Sequence, residues 1–334
     1  MIWCIARWGC LSLLVLMPGM GLYLHFSAQA ALDNNFQYSR QAAELPNFTG
    51  GNGLVQAEAR GYTYRVRIAG FEENPGAPPV ILLHGFPVTS AMWLPIIDYL
   101  VTAGFRVVAP DQRGYSPGAR PSALHAYHVT ELVADVLALA DFLGFDQFHL
   151  VGHDWGAMVS WHAALTAPQR LYSLSALTVT HPAAFADALQ RDPDQQRRSR
   201  YLGLISLPWL PETLMLQNDL ARLRALGSPD WPEQTREYSA MFSEPGAATA
   251  ALNWYRALPD GGRAGLPADL EVRVPTLFIW GSRDEVLGPY SITAQRKYVT
   301  GDYTEVEIDA GHRLVQQKPS RVAAALVAHL RGAP

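Results

Sequence analysis

Cysteine is almost missing from this chain. Its two cysteines, Cys4 and Cys10, both fall within the first thirty of 334 residues. The rest of the chain therefore has no disulfide staples, no thiolate metal ligands and no cysteine nucleophile. A run of lysine and arginine is also missing, and the formal net charge is −4, which argues against nucleic acid as a partner. There is no acidic tail, no internal repeat and no low-complexity tract. Apolar residues, in contrast, are plentiful: 49% of the chain is hydrophobic, enough to bury a large core. The expected partner is a small molecule, and homo-oligomers stay open. The length fits one large domain with a smaller insertion.

The first thirty residues differ in character from the rest. Arg7 precedes an apolar run from Leu11 to Met17, which Pro18 and Gly19 interrupt. Ala28–Gln29–Ala30 then gives an A-x-A pattern. This order predicts a secretory signal peptide over residues 1–30, hence a periplasmic or secreted protein with no stable membrane anchor after cleavage. An uncleaved anchor is the competing expectation.

Further on, apolar strands alternate with amphipathic helices. Leu54 to Ile68 reads as two short strands with a turn at Gly61. Pro79–Leu83 is a continuous apolar run and Phe105–Ala109, interrupted only by Arg106, is another, as in strands covered on both faces; Phe148–Val151 and Leu174–Val179 read as the next strands. Val129, Leu132, Val133, Val136, Leu137, Ala140 and Leu143 follow the three–four spacing of a helix that stops at Gly144. From 181 to 269 the pattern lapses into charged and aromatic helical pieces punctuated by proline, which predicts an inserted helical cap. It resumes with strands at Pro275–Trp280 and about Thr304–Ile308 and a last helix opened by Pro319. The fold class is therefore α/β: residues 31–180 and 270–334 form a mostly parallel sheet with helices on both faces, and 181–269 the cap.

Gly152–His153–Asp154–Trp155–Gly156 lies between a strand and a helix. That is the setting of a nucleophile elbow, whose usual form is G-x-S-x-G. Here the central residue is Asp154. A carboxylate is ionised at neutral pH without a helper base, and it can attack an sp3 carbon to give an alkyl-enzyme ester. Such an ester must then be hydrolysed. His312, in Ala310–Gly311–His312 after the last strand, is placed to activate water, with Asp284 as its acid and Glu285 as a neighbouring rival. His84–Gly85–Phe86–Pro87 follows a strand, and the Phe86 N–H can pair with that of Trp155 as an oxyanion hole. This chemistry calls for no cofactor and no metal.

Together these blocks, with Asp111–Gln112–Arg113–Gly114–Tyr115, resemble the epoxide hydrolase and haloalkane dehalogenase branch of the α/β-hydrolase superfamily. The resemblance runs from about Ala57 to the C-terminal helix, and the Asp-centred elbow is its specific part. It implies an α/β-hydrolase fold and a small apolar epoxide as substrate. It also implies two cap tyrosines that donate to the opened epoxide oxygen. Leu252–Asn253–Trp254–Tyr255–Arg256 matches the block of one, and Tyr201, shortly before Leu207–Pro208, stands where the other is expected. Two departures bear on the pocket: Arg313 follows His312 where the family often has Trp, and Ser206 stands where epoxide hydrolases often have Gln. Dehalogenation through the same nucleophile is the alternative reading, and a non-catalytic binding module on the same fold is a further one.

Overall fold

The computed structural model describes residues 45–226, 228–258 and 265–333, together with Leu22 and Tyr23. The segment read as a signal peptide otherwise lies outside the described residues. Eight strands form one sheet in the order β1-β2-β4-β3-β5-β6-β7-β8. They are β1 (Gly53–Ala59), β2 (Tyr62–Ala69), β3 (Pro79–Leu83), β4 (Arg106–Pro110), β5 (Phe148–His153), β6 (Leu171–Leu177), β7 (Thr276–Gly281) and β8 (Tyr303–Ile308). β2 pairs antiparallel with both β1 and β4, and every other pairing is parallel.

β3 and β5 are buried along their whole length; β3 is an unbroken apolar run, as burial on both faces favours, while β5 buries His149 and His153 among its apolar residues. The helices cover the sheet on both sides. They are α1 (Leu94–Thr102), α2 (Val129–Phe142) and α3 (Trp155–Thr166) in the first part of the chain. α10 (Pro289–Gln295), α11 (Leu314–Gln317) and α12 (Pro319–Gly332) follow in the last part. Two apolar cores result. One includes Ile81, Leu150, Val159 and Phe278, and the other Val80, Leu82, Ile96 and Leu326. Successive residues of β3 thus divide between the two faces, as the period of a strand dictates.

Between β6 and β7 the described chain is helical: α4 (Pro182–Arg191), α5 (Pro193–Arg198), α6 (Tyr201–Ile205), α7 (Leu210–Arg224), α8 (Pro232–Ser243) and α9 (Ala247–Arg256). Pro182, Pro193, Pro211 and Pro232 each occupy a first-turn position, where a missing N–H leaves nothing unpaired. This insertion is tied to the sheet by polar as well as apolar contacts. Arg67 of β2 donates to Glu237 of α8 at 2.6 Å, Arg120 pairs with Glu244, and the Trp254 indole of α9 donates to the Arg113 carbonyl at 2.8 Å. Among the described residues no helix is long and apolar enough to cross a membrane.

Candidate active site

Asp154 sits at the junction of β5 and α3 with φ 54° and ψ −119°. A side chain rarely adopts that backbone, and here the turn is packed too tightly to relax. A Cβ at Gly152 would lie 2.2 Å from the Gly156 carbonyl oxygen, and one at Gly156 would lie 2.1 Å from that of Leu83. Both flanking positions must therefore be glycine. The strained turn holds the Asp154 carboxylate beyond the carboxyl end of β5, against the loop that leaves β3.

That loop supplies the first donor. The Phe86 N–H donates to Asp154 Oδ1 at 2.8 Å. Gly85 makes the approach possible, since a Cβ there would sit 2.3 Å from the same oxygen. The fully buried His84 fixes the loop: its Nε2 accepts from the Gln112 N–H at 3.1 Å, which places its proton on Nδ1, 2.9 Å from the Gly85 carbonyl. Burial lowers the pKa of His84, so the ring stays neutral. This brace was not visible from the His-Gly-Phe-Pro spelling, because its partner Gln112 comes from the end of another strand. Trp155, at the first turn of α3, carries the second expected oxyanion N–H at the end of the helix where backbone donors are free.

His312 follows β8, and Asp284 follows β7. Their loops are joined by the Ser282 N–H to the Ile308 carbonyl and the Arg283 N–H to the Ala310 carbonyl, each 2.9 Å. His312 Nδ1 lies 2.9 Å from Asp284 Oδ2, and Nε2 lies 3.4 Å from Asp154 Oδ2. Asp284 Oδ1 also accepts the Val286 and Leu287 N–H groups at 2.7 and 3.0 Å. Glu285, by contrast, is exposed, and Asp284 is the acid that meets the histidine. His153 adds a contact that its place in the elbow did not announce: its Nε2 lies 2.9 Å from the His312 carbonyl oxygen.

Burial alone would lower the pKa of His312. The hydrogen bonds and charges of Asp154 and Asp284 outweigh it and push the value up to about 10. Burial opposes ionisation of both carboxylates in turn, and the His312 contacts overcome it and hold them below the usual carboxylate range. His153 goes the other way, to about 4, through burial and then the neighbouring His312 charge. The resting site is thus an imidazolium between two carboxylates.

A cavity of about 480 Å3, its open mouth included, lies over Asp154. Tyr201 from the start of α6 and Tyr255 from α9 both line it. Tyr255 is buried, with its ring edge-to-face against Phe86 at 5.1 Å and Trp155 at 5.0 Å. Residue 201 as a whole is 38% exposed, yet its phenol is desolvated and lies close enough to feel Asp154 and Asp284. Burial first, then the Asp154 charge, raises both phenol pKa values, so both stay protonated. Apolar side chains such as Met158, Phe185 and Leu258 supply much of the remaining wall. Ser206 and Arg313 are not among the lining residues: the Ser206 hydroxyl donates to the Leu202 carbonyl, and Arg313 to that of Ala225.

Comparison with known proteins agrees with this geometry. Residues 78–319 match the family described as alpha/beta hydrolase fold. The chain is 34% identical over 277 residues to the AB hydrolase superfamily protein YfhM of Bacillus subtilis, covering 81% of this chain and 95% of that protein. It is 36% identical over 320 residues to epoxide hydrolase A of Mycobacterium tuberculosis, covering 82% and 96%. The crystal structure of epoxide hydrolase A from Mycobacterium thermoresistibile superposes with a TM-score of 0.70 at 29% identity, over 85% of this chain and 99% of that one. The strained Asp154 elbow, the two strand-end loops that bring His312 to it and these likenesses agree: the chain belongs to the α/β-hydrolase family, in the branch that holds these epoxide hydrolases.

Proposed function

We propose that the protein hydrolyses an epoxide to a vicinal diol through an ester on Asp154, with the insertion of residues 181–269 acting as the cap that supplies the acid. The observation that carries this reading is the placing of Asp154 and two protonated phenols on one cavity. Phe86 holds Oδ1, so Oδ2 is the attacking atom. It forms a bond to an epoxide carbon as that carbon's bond to oxygen breaks. The freed oxygen is more basic than a phenolate and takes a proton from Tyr201 or Tyr255.

This step removes the Asp154 charge. The charge had opposed ionisation of both tyrosines and had helped to hold the proton on His312. Its loss makes the phenolate easier to form and the imidazolium easier to deprotonate, so the His312 proton passes to the phenolate. Neutral His312 then takes a proton from water, and the hydroxide adds to Cγ of the ester. Oδ1 becomes the oxyanion, next to the N–H groups of Phe86 and Trp155. Collapse breaks the ester bond, and the departing oxygen takes the new carboxyl proton. Diol leaves, and the site returns to imidazolium between two carboxylates. Asp284 stabilises that cation and orients the ring throughout.

Phenols facing the nucleophile favour this reading over dehalogenation, because a departing halide needs no proton. The test uses a panel of epoxides and haloalkanes with the parent protein, Asp154→Ala and His312→Gln. Diol should form from epoxides with the parent and not with Asp154→Ala. His312→Gln should accumulate a species heavier by the mass of the epoxide, on the peptide containing Asp154. Turnover without any such adduct, or halide release in place of diol, would overturn the proposal.

A further inference from the structure

Gln195 is completely buried although it lies on α5, far in sequence from the catalytic loops. Its amide is bonded at both ends. Nε2 donates to the Val286 carbonyl and to Ser199 Oγ, both at 2.9 Å, and Oε1 accepts the Gly288 N–H at 2.8 Å. A carbonyl can only accept and a backbone N–H can only donate, so these two partners fix which way the amide points. One helical turn on, Arg198 Nη1 donates to the carbonyl of Asp284 itself at 2.5 Å. Asp194 accepts from Arg198 Nε at 2.7 Å and aims the guanidinium. Gly288 lies flush against this surface: a Cβ there would come within 3.2 Å of Gln195 Oε1 and 3.4 Å of Asp194 Oδ2. The gripped segment, 284–288, is the turn whose Val286 and Leu287 N–H groups hold the Asp284 carboxylate. On the other side, α5 leads through Ser199 and Arg200 directly into Tyr201.

We infer that Gln195 and Arg198 are positioning residues for the reaction, a clamp that sets the loop bearing Asp284 and the helix bearing Tyr201 as one unit. This rests on the ester mechanism proposed above. Neither residue touches the reacting atoms. The clamp acts on both chemical steps: on ester formation through the place of the Tyr201 phenol, and on ester hydrolysis through the Asp284 carboxylate behind His312. A shift of the order of 1 Å in either group is enough to slow chemistry measurably.

The groups facing His312 define what its titration reports. Asp284 stands behind Nδ1, Asp154 and His153 approach from β5 and the elbow, and the Tyr201 phenol faces the two carboxylates from α6. In the ester Asp154 is neutral, which leaves Asp284 as the main charge favouring the imidazolium. Loosening the clamp therefore lowers the pH midpoint of ester hydrolysis.

Single-turnover kinetics with one epoxide, followed by quench and mass analysis of the intact protein, separates the two steps across pH. Gln195→Leu should slow ester formation and ester hydrolysis each by about tenfold, and should lower the hydrolysis midpoint by about one pH unit. Tyr201→Phe should slow only ester formation and leave that midpoint in place. Arg198→Met tests the same clamp at a partly exposed residue should Gln195→Leu fail to fold, and Arg198→Lys should recover the parent midpoint. A merely structural residue would reduce the fraction of active protein with rates and midpoint unmoved, and that result in the folded variants overturns the clamp. Absence of any ester in the parent and in His312→Gln overturns the mechanism beneath it instead.

Discussion

Tyr255 and Trp254 are neighbours in sequence with divided work. The Trp254 indole donates to the Arg113 carbonyl and packs edge-on against Tyr115, so it anchors α9 to the core. Tyr255 then presents its phenol to the cavity between Phe86 and Trp155. Tyr255→Phe keeps these ring contacts and removes only the proton donor. Ester formation should slow by about 10²-fold, measured by stopped-flow tryptophan fluorescence, while hydrolysis of ester already formed should keep its rate. Equal slowing of both steps would mean that the phenol does not act on the epoxide oxygen. Much of this was legible in the sequence, because elbow, triad and oxyanion loop are short local patterns tied to strand ends. The braces were not. His84 to Gln112 and Gln195 to Val286 join residues 28 and 91 positions apart, and no local pattern marks them.

At the scale of elements, β3 and β4 declared themselves because burial on both faces demands largely apolar runs. The paired strands at the sheet edge and the long helix α2 fall within a residue or two of their expected bounds. The insertion was read only as helical pieces: its helices mix charged and apolar residues, and ion pairs such as Arg67–Glu237 help to attach it to the core. An ion pair also holds one core element to another. Arg113, after β4, makes two 2.6 Å bonds to Asp135 of α2, both side chains being almost completely buried. Among the described residues, Arg113→Met leaves Asp135 with only the partly exposed Arg60 as its cation. The loss should approach the low end of the roughly 3–5 kcal/mol seen when one partner of a buried pair is removed. Adding Asp135→Leu should recover part of it, because the uncompensated charge goes too. Urea unfolding of the two variants and the parent checks this. Stability no worse in Arg113→Met than in the double variant would show that the pair does not hold α2 to the strand end.

For the whole molecule, the buried histidines set opposite limbs of a stability–pH curve. His149 and His153 titrate at about 4 when folded, chiefly through burial, against about 6.5 when exposed. As pH falls below about 6.5 the unfolded chain takes up protons that these folded rings refuse, so stability is lost toward acid. His312 has the reverse sign. Its folded value of about 10 lies above the unfolded one, so its contribution is complete below about 6.5. Between about 6.5 and 10 the folded protein keeps a proton that the unfolded chain has released, and stability declines as pH rises. The curve should therefore peak near neutrality, with the site itself shaping the alkaline side. Thermal midpoints of the parent and His312→Gln from pH 4 to 10 separate the two limbs. The variant should keep the decline toward acid that the other histidines cause, and should fall less steeply than the parent between pH 7 and 10. If the alkaline limbs superimpose, His312 does not carry its proton in the resting protein. The imidazolium would then have to form during the reaction, and the proton that restores the tyrosine would have to come from solvent.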